Sequence, residues 1–288
     1  VPHLTLVSST DTLNLDDVLN VGTGAQALSG ATGLGLPEVA AQWIEGAGDG
    51  AVYRGSRLRS RNIDLPIHLL GTSRARLQEL LARLEMMLAD GEVQLRWYDD
   101  DGTYWSTAVA WQGGGSWTYG QDTTGERDLT TVITLRAASP YWTYSVSSFE
   151  RVQNAGSGRG LLNGPLTKMR ISASQAIGTM RLNNNLATAP SYPVWTVVGP
   201  GVDFVARSAL GQQLRWTGTL AAGERLILDA RKGTAVDGTG ANRYSQLDTA
   251  PKFWPVPRGT SVCTASMDGT TTASSITCSW QPRRRVVI

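Results

Sequence analysis

Histidine is nearly missing from this chain: there are two in 288 residues, His3 and His68. Cysteine is as scarce, with Cys263 and Cys278 alone, and there are three phenylalanines. Charged side chains make up 17% of the chain and leave a net charge of +2, far from the strong field that draws a protein to DNA or to an anionic membrane. No apolar run approaches the roughly 18 to 20 residues that span a bilayer. The opening stretch, VPHLTLVSSTDTLNLDDVL, lacks the basic segment and apolar core of a secretory signal. The expectation is a soluble chain, not secreted by that route, with no membrane partner and no specific nucleic-acid binding.

The same scarcities bear on chemistry. Hydrolytic and metal sites draw on histidine, cysteine or paired carboxylates held by a scaffold. His3 sits at a terminus and His68 in the alternating run LPIHLL, with no second histidine or cysteine at ligand spacing. No nucleophile elbow, zinc-binding helix, Walker loop or dinucleotide-binding glycine pattern occurs in its required context. Asp99, Asp100 and Asp101 precede Gly102 between two alternating apolar runs, which is the signature of a hairpin turn rather than a metal site. Asp229 and Asp237 lie in ILDARKGTAVDGTGANRY, where Leu226, Leu228 and Ala230 alternate with Arg225, Ile227 and Asp229 and the glycines supply a turn. A hairpin with its charges in water is the better reading of that stretch than a catalytic pair. No catalytic residue, metal or cofactor is expected. The two cysteines are too few for a disulfide framework and flank what reads as a hairpin. A turn centred on Thr270 and Thr271 would set them opposite each other, one at Asp268 and Gly269 would not, and free thiols are the reading adopted.

What is present is glycine (32), tryptophan (10) and a 41% apolar fraction, a composition suited to sheets joined by tight turns. The length allows two domains, each with its own core. One helix is expected over about 72–90, capped by Thr72 or Ser73 and stopped at Gly91, with Leu77, Leu80, Leu81, Leu84, Met87 and Leu88 on one face. Leu80 and Leu84 are placed in the core between this helix and a sheet. Residues 60–71, 92–112 and 128–142 alternate as strands.

Glycine, serine and asparagine then displace the apolar pattern, which sets a first domain over 1–145, a linker over 146–165 and a second domain over 166–288. Short strand-like segments, among them TKMRISAS, GTMRLNN, YPVWTVVGPG, KFWPVPRG and SSITCSW, recur every 8 to 15 positions in the second region, the spacing of a β-sandwich. Trp97, Trp105, Trp111 and Trp117 gather in one hairpin region of the first domain. They are candidates for stacking on sugar rings or for anchoring a permanent protein interface. The terminal PRRRVVI reads as a solvated or interface-forming tail.

The order of these pieces resembles a known family. GLGLPEV, EGAGDGAVYRGSRLRSRNIDLPIHLLG, SRARLQELLARLEMML, VQLRWYDDDGTYW and RAASPYW are similar, in that order, to the N-terminal domain of siphophage distal tail proteins. NNNLATAPSYPVWTVVGPG, LILDARKGTAVDGTGANRY and FWPVPRGTSV resemble the galectin-like β-sandwich that follows it. The resemblance covers nearly the whole chain. It implies a mainly β protein with a sandwich- or barrel-like first domain bearing one helix and a galectin-like second domain. It further implies a structural role: a homohexameric ring at the distal end of the tail tube, joining the tail tube protein to the tail-tip hub or a tail-associated protein, with the tape-measure protein in its lumen. The place would be the distal tip of the virion tail, after assembly in the host cytoplasm. The competing reading is a carbohydrate-binding module or adhesin that shows the same tryptophans to host glycans. A third, a glycoside hydrolase, requires two carboxylates about 5 to 9.5 Å apart.

Overall fold

The computed structural model describes residues 2–117, 127–153 and 176–287. The chain is mainly β and divides into two compact units, one made of Val1–Ser145 with Arg284–Ile288, the other of Val146–Arg283.

The first unit begins with β1 (His3–Val7), β2 (Thr12–Asn14), a short helix α1 (Asp17–Val21) and β3 (Gly24–Ala27). A hairpin, β4 (Val39–Glu45) with β5 (Ala51–Leu58), leads into the long strand β6 (Arg61–Leu70). Helix α2 (Arg74–Ala89), β7 (Glu92–Tyr98), β8 (Tyr104–Gly114), β9 (Asp128–Ala137) and β10 (Trp142–Tyr144) complete it. The main sheet runs β2-β1-β7-β8-β9-β6-β3, with β10 pairing on β8, and is nearly closed into a barrel. Strict alternation drives the closure. Ile63, Leu65, Ile67 and Leu69 of β6 and Leu129, Ile133 and Leu135 of β9 all point into one core, as the two-residue period of a strand requires.

Helix α2 joins that core. Ser73 caps its N-terminus by accepting the Arg76 N–H, and Gly91 follows its end with a φ of +94°. Its buried residues are Leu77, Leu80, Leu84, Met87 and Leu88, spaced by three and four. Helix α1 was not expected from the sequence; it is little more than one turn long and buries none of its residues, so no apolar period announces it.

Arg61, at the start of β6, is 3% exposed. Its guanidinium donates to the carbonyls of Gly33 (2.5 Å), Gly35 (2.7 Å), Pro140 (2.9 Å) and Arg285 (2.5 Å). Burial lowers its pKa, a cost that four charge-assisted hydrogen bonds offset. Gly33 approaches β6 so closely that a Cβ there would stand 2.0 Å from the Asn62 carbonyl oxygen, and its φ of +80° also favours glycine. Loop, strand and C-terminal tail are thereby pinned at one point. The tail is not part of the second unit, as the expected 166–288 boundary had it: Val287 is buried in the first core.

The second unit contains β11 (Ser148–Gln153), β12 (Ala176–Asn184), β13 (Val194–Val198), β14 (Gly201–Ser208), β15 (Gln213–Leu220), β16 (Arg225–Asp229), β17 (Thr234–Asp237), β18 (Gly259–Asp268) and β19 (Ser275–Trp280). They form a five-stranded sheet, β11-β19-β13-β16-β17, and a four-stranded sheet, β12-β18-β14-β15. Trp195, Leu226, Leu228 and Ile276 from the first meet Met180, Phe204, Trp216 and Ala265 from the second in one core, the construction of a β-sandwich.

Several expectations need correction here. The expected linker over 146–165 begins with a strand, because β11 pairs along its whole length with β19; it is an edge strand with Phe149 65% exposed, so its composition imitates a linker. The segments NAGSGRG and TKMRISAS fall outside the described residues. Cys263 and Cys278 do not flank a hairpin: β18 and β19 belong to different sheets, and both thiols are free and buried in the sandwich core. KFWPVPRG is irregular chain that buries Trp254 and Val256, and it follows a 3₁₀ turn at Tyr244–Gln246.

Candidate interaction surfaces

The candidate carboxylates are used up by structure. Asp229 accepts from the backbone N–H groups of Arg231 (2.8 Å) and Lys232 (3.1 Å) and closes the β16–β17 turn. Asp237 accepts from the hydroxyl (2.6 Å) and N–H (2.9 Å) of Thr239, the N–H of Ala241 (3.0 Å) and Arg243 Nε (3.0 Å). The Thr239 hydroxyl first, then these amides and Arg243, lower its pKa to about 2. In the ladder Asp229 faces Thr234 and Asp237 faces Leu226, which sets the two about three residues, or ~10 Å, apart along the strands. A cleft of about 690 Å3 opens beside Asp237 but not Asp229, lined by Trp216, Leu220, Glu224, Arg225, Asp237 and Arg243 among others. Its other acid, Glu224, accepts from Ala221 N–H at 2.7 Å and braces the β15–β16 turn. Both acids that line the cleft thus take part in turn hydrogen bonds.

The other candidates are likewise accounted for. Asp101 accepts from the N–H (2.9 Å) and hydroxyl (2.6 Å) of Thr103, the hydroxyl contributing most to a lowered pKa, and this ties the β7–β8 turn. Among the described residues no three histidine, cysteine or acidic side chains group as metal ligands. His3 stacks on Tyr98 with ring centroids 4.8 Å apart, and His68 shares a 3.0 Å hydrogen bond with Thr130 on the outer face of β6 and β9. Burial pushes the Cys263 thiol up to about 12 and Cys278 upward as well, which leaves both as unreactive core residues.

The four candidate tryptophans do not form one surface. Trp105 is 2% exposed, packed on Tyr144 (centroids 4.7 Å apart) with the Arg284 guanidinium 4.3 Å from its ring centroid. Trp97, its partner across the β7–β8 ladder, is half-buried against the same core. Trp111 (50%) and Trp117 (48%) are exposed, and Trp111 Nε1 donates to the Gly113 carbonyl at 2.7 Å. Of the four, only these last two are exposed.

An exposed apolar group lies elsewhere, on the β4–β5 hairpin, which the sequence reading passed over. Trp43 (60%) stands across from Tyr53 (51%), their ring centroids 5.0 Å apart, and Ile44 (50%) across from Val52 (63%). The signal was present as QWIE and AVY on either side of GAGDG. Its apolar residues are consecutive, however, and so match neither a strand with one buried face nor an amphipathic helix.

Two units, a nearly closed sheet with one long helix followed by a two-sheet sandwich, define the class of fold. No family model matches the chain, and no curated protein matches it. Solved structures do. The crystal structure of SPP1 Dit (gp 19.1), described as a paradigm of the hub adsorption apparatus in phages infecting Gram-positive bacteria, matches with a TM-score of 0.68 at 12% identity, over 97% of this chain and 98% of that one. The phage P2 baseplate in its activated conformation matches with TM-scores of 0.55 in calcium and 0.53 in strontium, at 10% and 9% identity and with the same coverage. The chain therefore shares, from end to end, the fold of phage baseplate hub proteins.

Proposed function

We propose that this chain is a structural protein of a siphophage tail, a homohexameric ring at the distal end of the tail tube that links the tube protein to the tail-tip hub. The carrying observation is the end-to-end match with SPP1 Dit: both units, in the same order, over 97% and 98% of the two chains. At 12% identity what is retained is the fold, and a ring whose lumen passes a tape-measure protein makes geometric rather than chemical demands on sequence. In this reading the first unit closes the ring through a heterologous interface repeated by rotation, and the sandwich is carried on it. The reading agrees with carboxylates spent on turns. The carbohydrate-binding alternative keeps Trp111 and Trp117 but loses Trp105 to the core, and a glycan array on the purified chain tests it directly. Cryo-electron microscopy of intact tails tests the main reading. Six copies at one level around the tube axis are expected; sandwich units lining the lumen, or a chain found only in a peripheral spike, would overturn it.

A further inference from the structure

The β4–β5 hairpin is unfinished as a piece of protein. Two strands alone are marginal in water, and this pair carries apolar side chains on both faces: Trp43 and Tyr53 on one, Ile44 and Val52 on the other, all at least half exposed. It forms its own two-stranded sheet, so each strand also has an unpaired edge. An exposed apolar edge of this kind is what proteins otherwise blunt or cover.

The charges on the hairpin say what covers it. Glu45 and Asp49 lie at the tip, while Arg54, Arg57 and Arg59 lie along the stem, with Glu38 at its foot. All six are exposed, and none makes a side-chain ion pair among the described residues. Three acids and three arginines sum to zero, so a partner of one sign, a nucleic acid included, gains nothing from the whole. What is left is segregation: an acidic tip and a basic stem. A second copy of the same hairpin complements that pattern when the tip of one meets the stem of the next. Repeated by rotation around a ring, that contact is head-to-tail; made between two antiparallel hairpins, it is isologous.

We infer that the β4–β5 hairpin is an intersubunit clasp, in which the acidic tip of one copy docks on the basic stem of its neighbour and the two apolar faces are buried between copies. The inference rests on the ring reading above and names the surface that closes the ring. Its charges select the partner and the direction of approach; its apolar faces supply the affinity.

The test is a charge swap in the full-length chain, followed by sedimentation and native mass spectrometry over a concentration series. Reversing the tip (Glu45→Arg with Asp49→Arg) or the stem (Arg54→Glu with Arg57→Glu) should each weaken self-association by about tenfold or more, and combining both in one chain should restore it. Trp43→Ala with Val52→Ser should weaken it by at least about thirtyfold. Equal association in all variants, or reversal variants that the combination fails to rescue, would overturn the clasp. So would a wild-type chain that stays monomeric to about millimolar concentration, where an effective ring contact must register. Microscopy of tails keeps the two readings separate. Six-fold rings in which the hairpin touches only another tail protein would retain the ring and remove the clasp; no ring would remove both.

Discussion

Two of the hairpins with glycine-bearing connections, β16–β17 and β4–β5, differ in nearly every physical respect. In β16–β17, Leu226, Leu228 and Ala235 are buried in the sandwich, and Asp229 and Asp237 tie the flanking turns with short hydrogen bonds. In β4–β5 nothing is fully buried on either strand, and the apolar side chains face solvent on both sides. The first hairpin is completed by its own chain. The second has the composition of a buried element without the burial, and the proposed clasp would supply that burial. Charge is handled differently too: it is spent locally in β16–β17, where Arg243 pairs with Asp237 at 3.0 Å, and left unspent in β4–β5. Where a fold leaves both apolar area and charge uncommitted in one place, that place is a better candidate for function than a cleft whose acids are already bonded.

The comparison breaks most sharply at the root of the exposed hairpin. Arg61 holds the strand that follows β5 to two loop carbonyls, to Pro140 and to the C-terminal tail. Arg61→Met should destabilise the first unit by about 3 to 5 kcal/mol, since it leaves four inward carbonyls without a donor. Urea unfolding followed by tryptophan fluorescence should show the loss in the transition of the first unit; an unchanged midpoint would mean that water replaces the guanidinium.

Next in size are truncations in the cores. Leu228→Ala in β16 and Leu84→Ala in α2 should each cost about 2 to 5 kcal/mol, according to how far the surroundings close around the cavity. Both side chains are buried, so a melting temperature unchanged in either variant would show that element to be loosely packed.

A smaller effect separates the hairpins by pH. Asp237 has its pKa lowered to about 2 from an ordinary value near 3.8. A folded-state pKa below the unfolded one means stability that is fully present above pH 3.8 and is lost as pH falls through 2. Asp237→Asn should therefore lower the melting temperature at pH 6, and the gap from wild type should narrow between pH 4 and pH 2. A gap that stays constant across that range would show the hydrogen bonds, not the charge, to be what matters.

These contrasts explain which parts of the fold were legible in the sequence. Helix α2 and strands β6 and β9 each bury one face, so their apolar residues recur at spacings of three and four, or of two, and could be read directly. Strand β8 shows where parity fails. Trp105, Thr107 and Val109 point inward at every second position, and Trp111 should follow. Pairing with β7 ends at Ala110, however, and a bulge intervenes between Trp111 and Gly113, so Trp111 turns out to solvent. Strand β11 passed for a linker because none of its residues is fully buried and its largest apolar side chain, Phe149, faces solvent. The β4–β5 hairpin was invisible for the opposite reason. Periodicity reports the contrast between a face in the core and a face in water, and a ribbon awaiting a partner on both sides has no such contrast within its own chain.

The smallest expected effect is the most discriminating. Ile44→Ser in β4 removes an apolar side chain of much the same kind as Leu228 in β16, from a strand of the same architecture. If the hairpin were held by contacts within its own chain, the cost would approach that of a core truncation. With Ile44 half exposed and the strand pair standing apart from the main sheet, the melting temperature of dilute chain should instead move by no more than a surface substitution does, about 0.5 kcal/mol. Hydrogen exchange supplies the complementary reading. In dilute chain the amides of β4 and β5 should exchange far sooner than those of β16 and β17, because opening a two-stranded sheet exposed on both faces costs little. Protection should appear at β4 and β5 as concentration rises, and Ile44→Ser should delay it to higher concentration without changing exchange in β16. A large stability loss in dilute Ile44→Ser, or equal protection of the two hairpins in dilute wild type, would remove the distinction and return β4–β5 to the class of elements that the chain completes by itself.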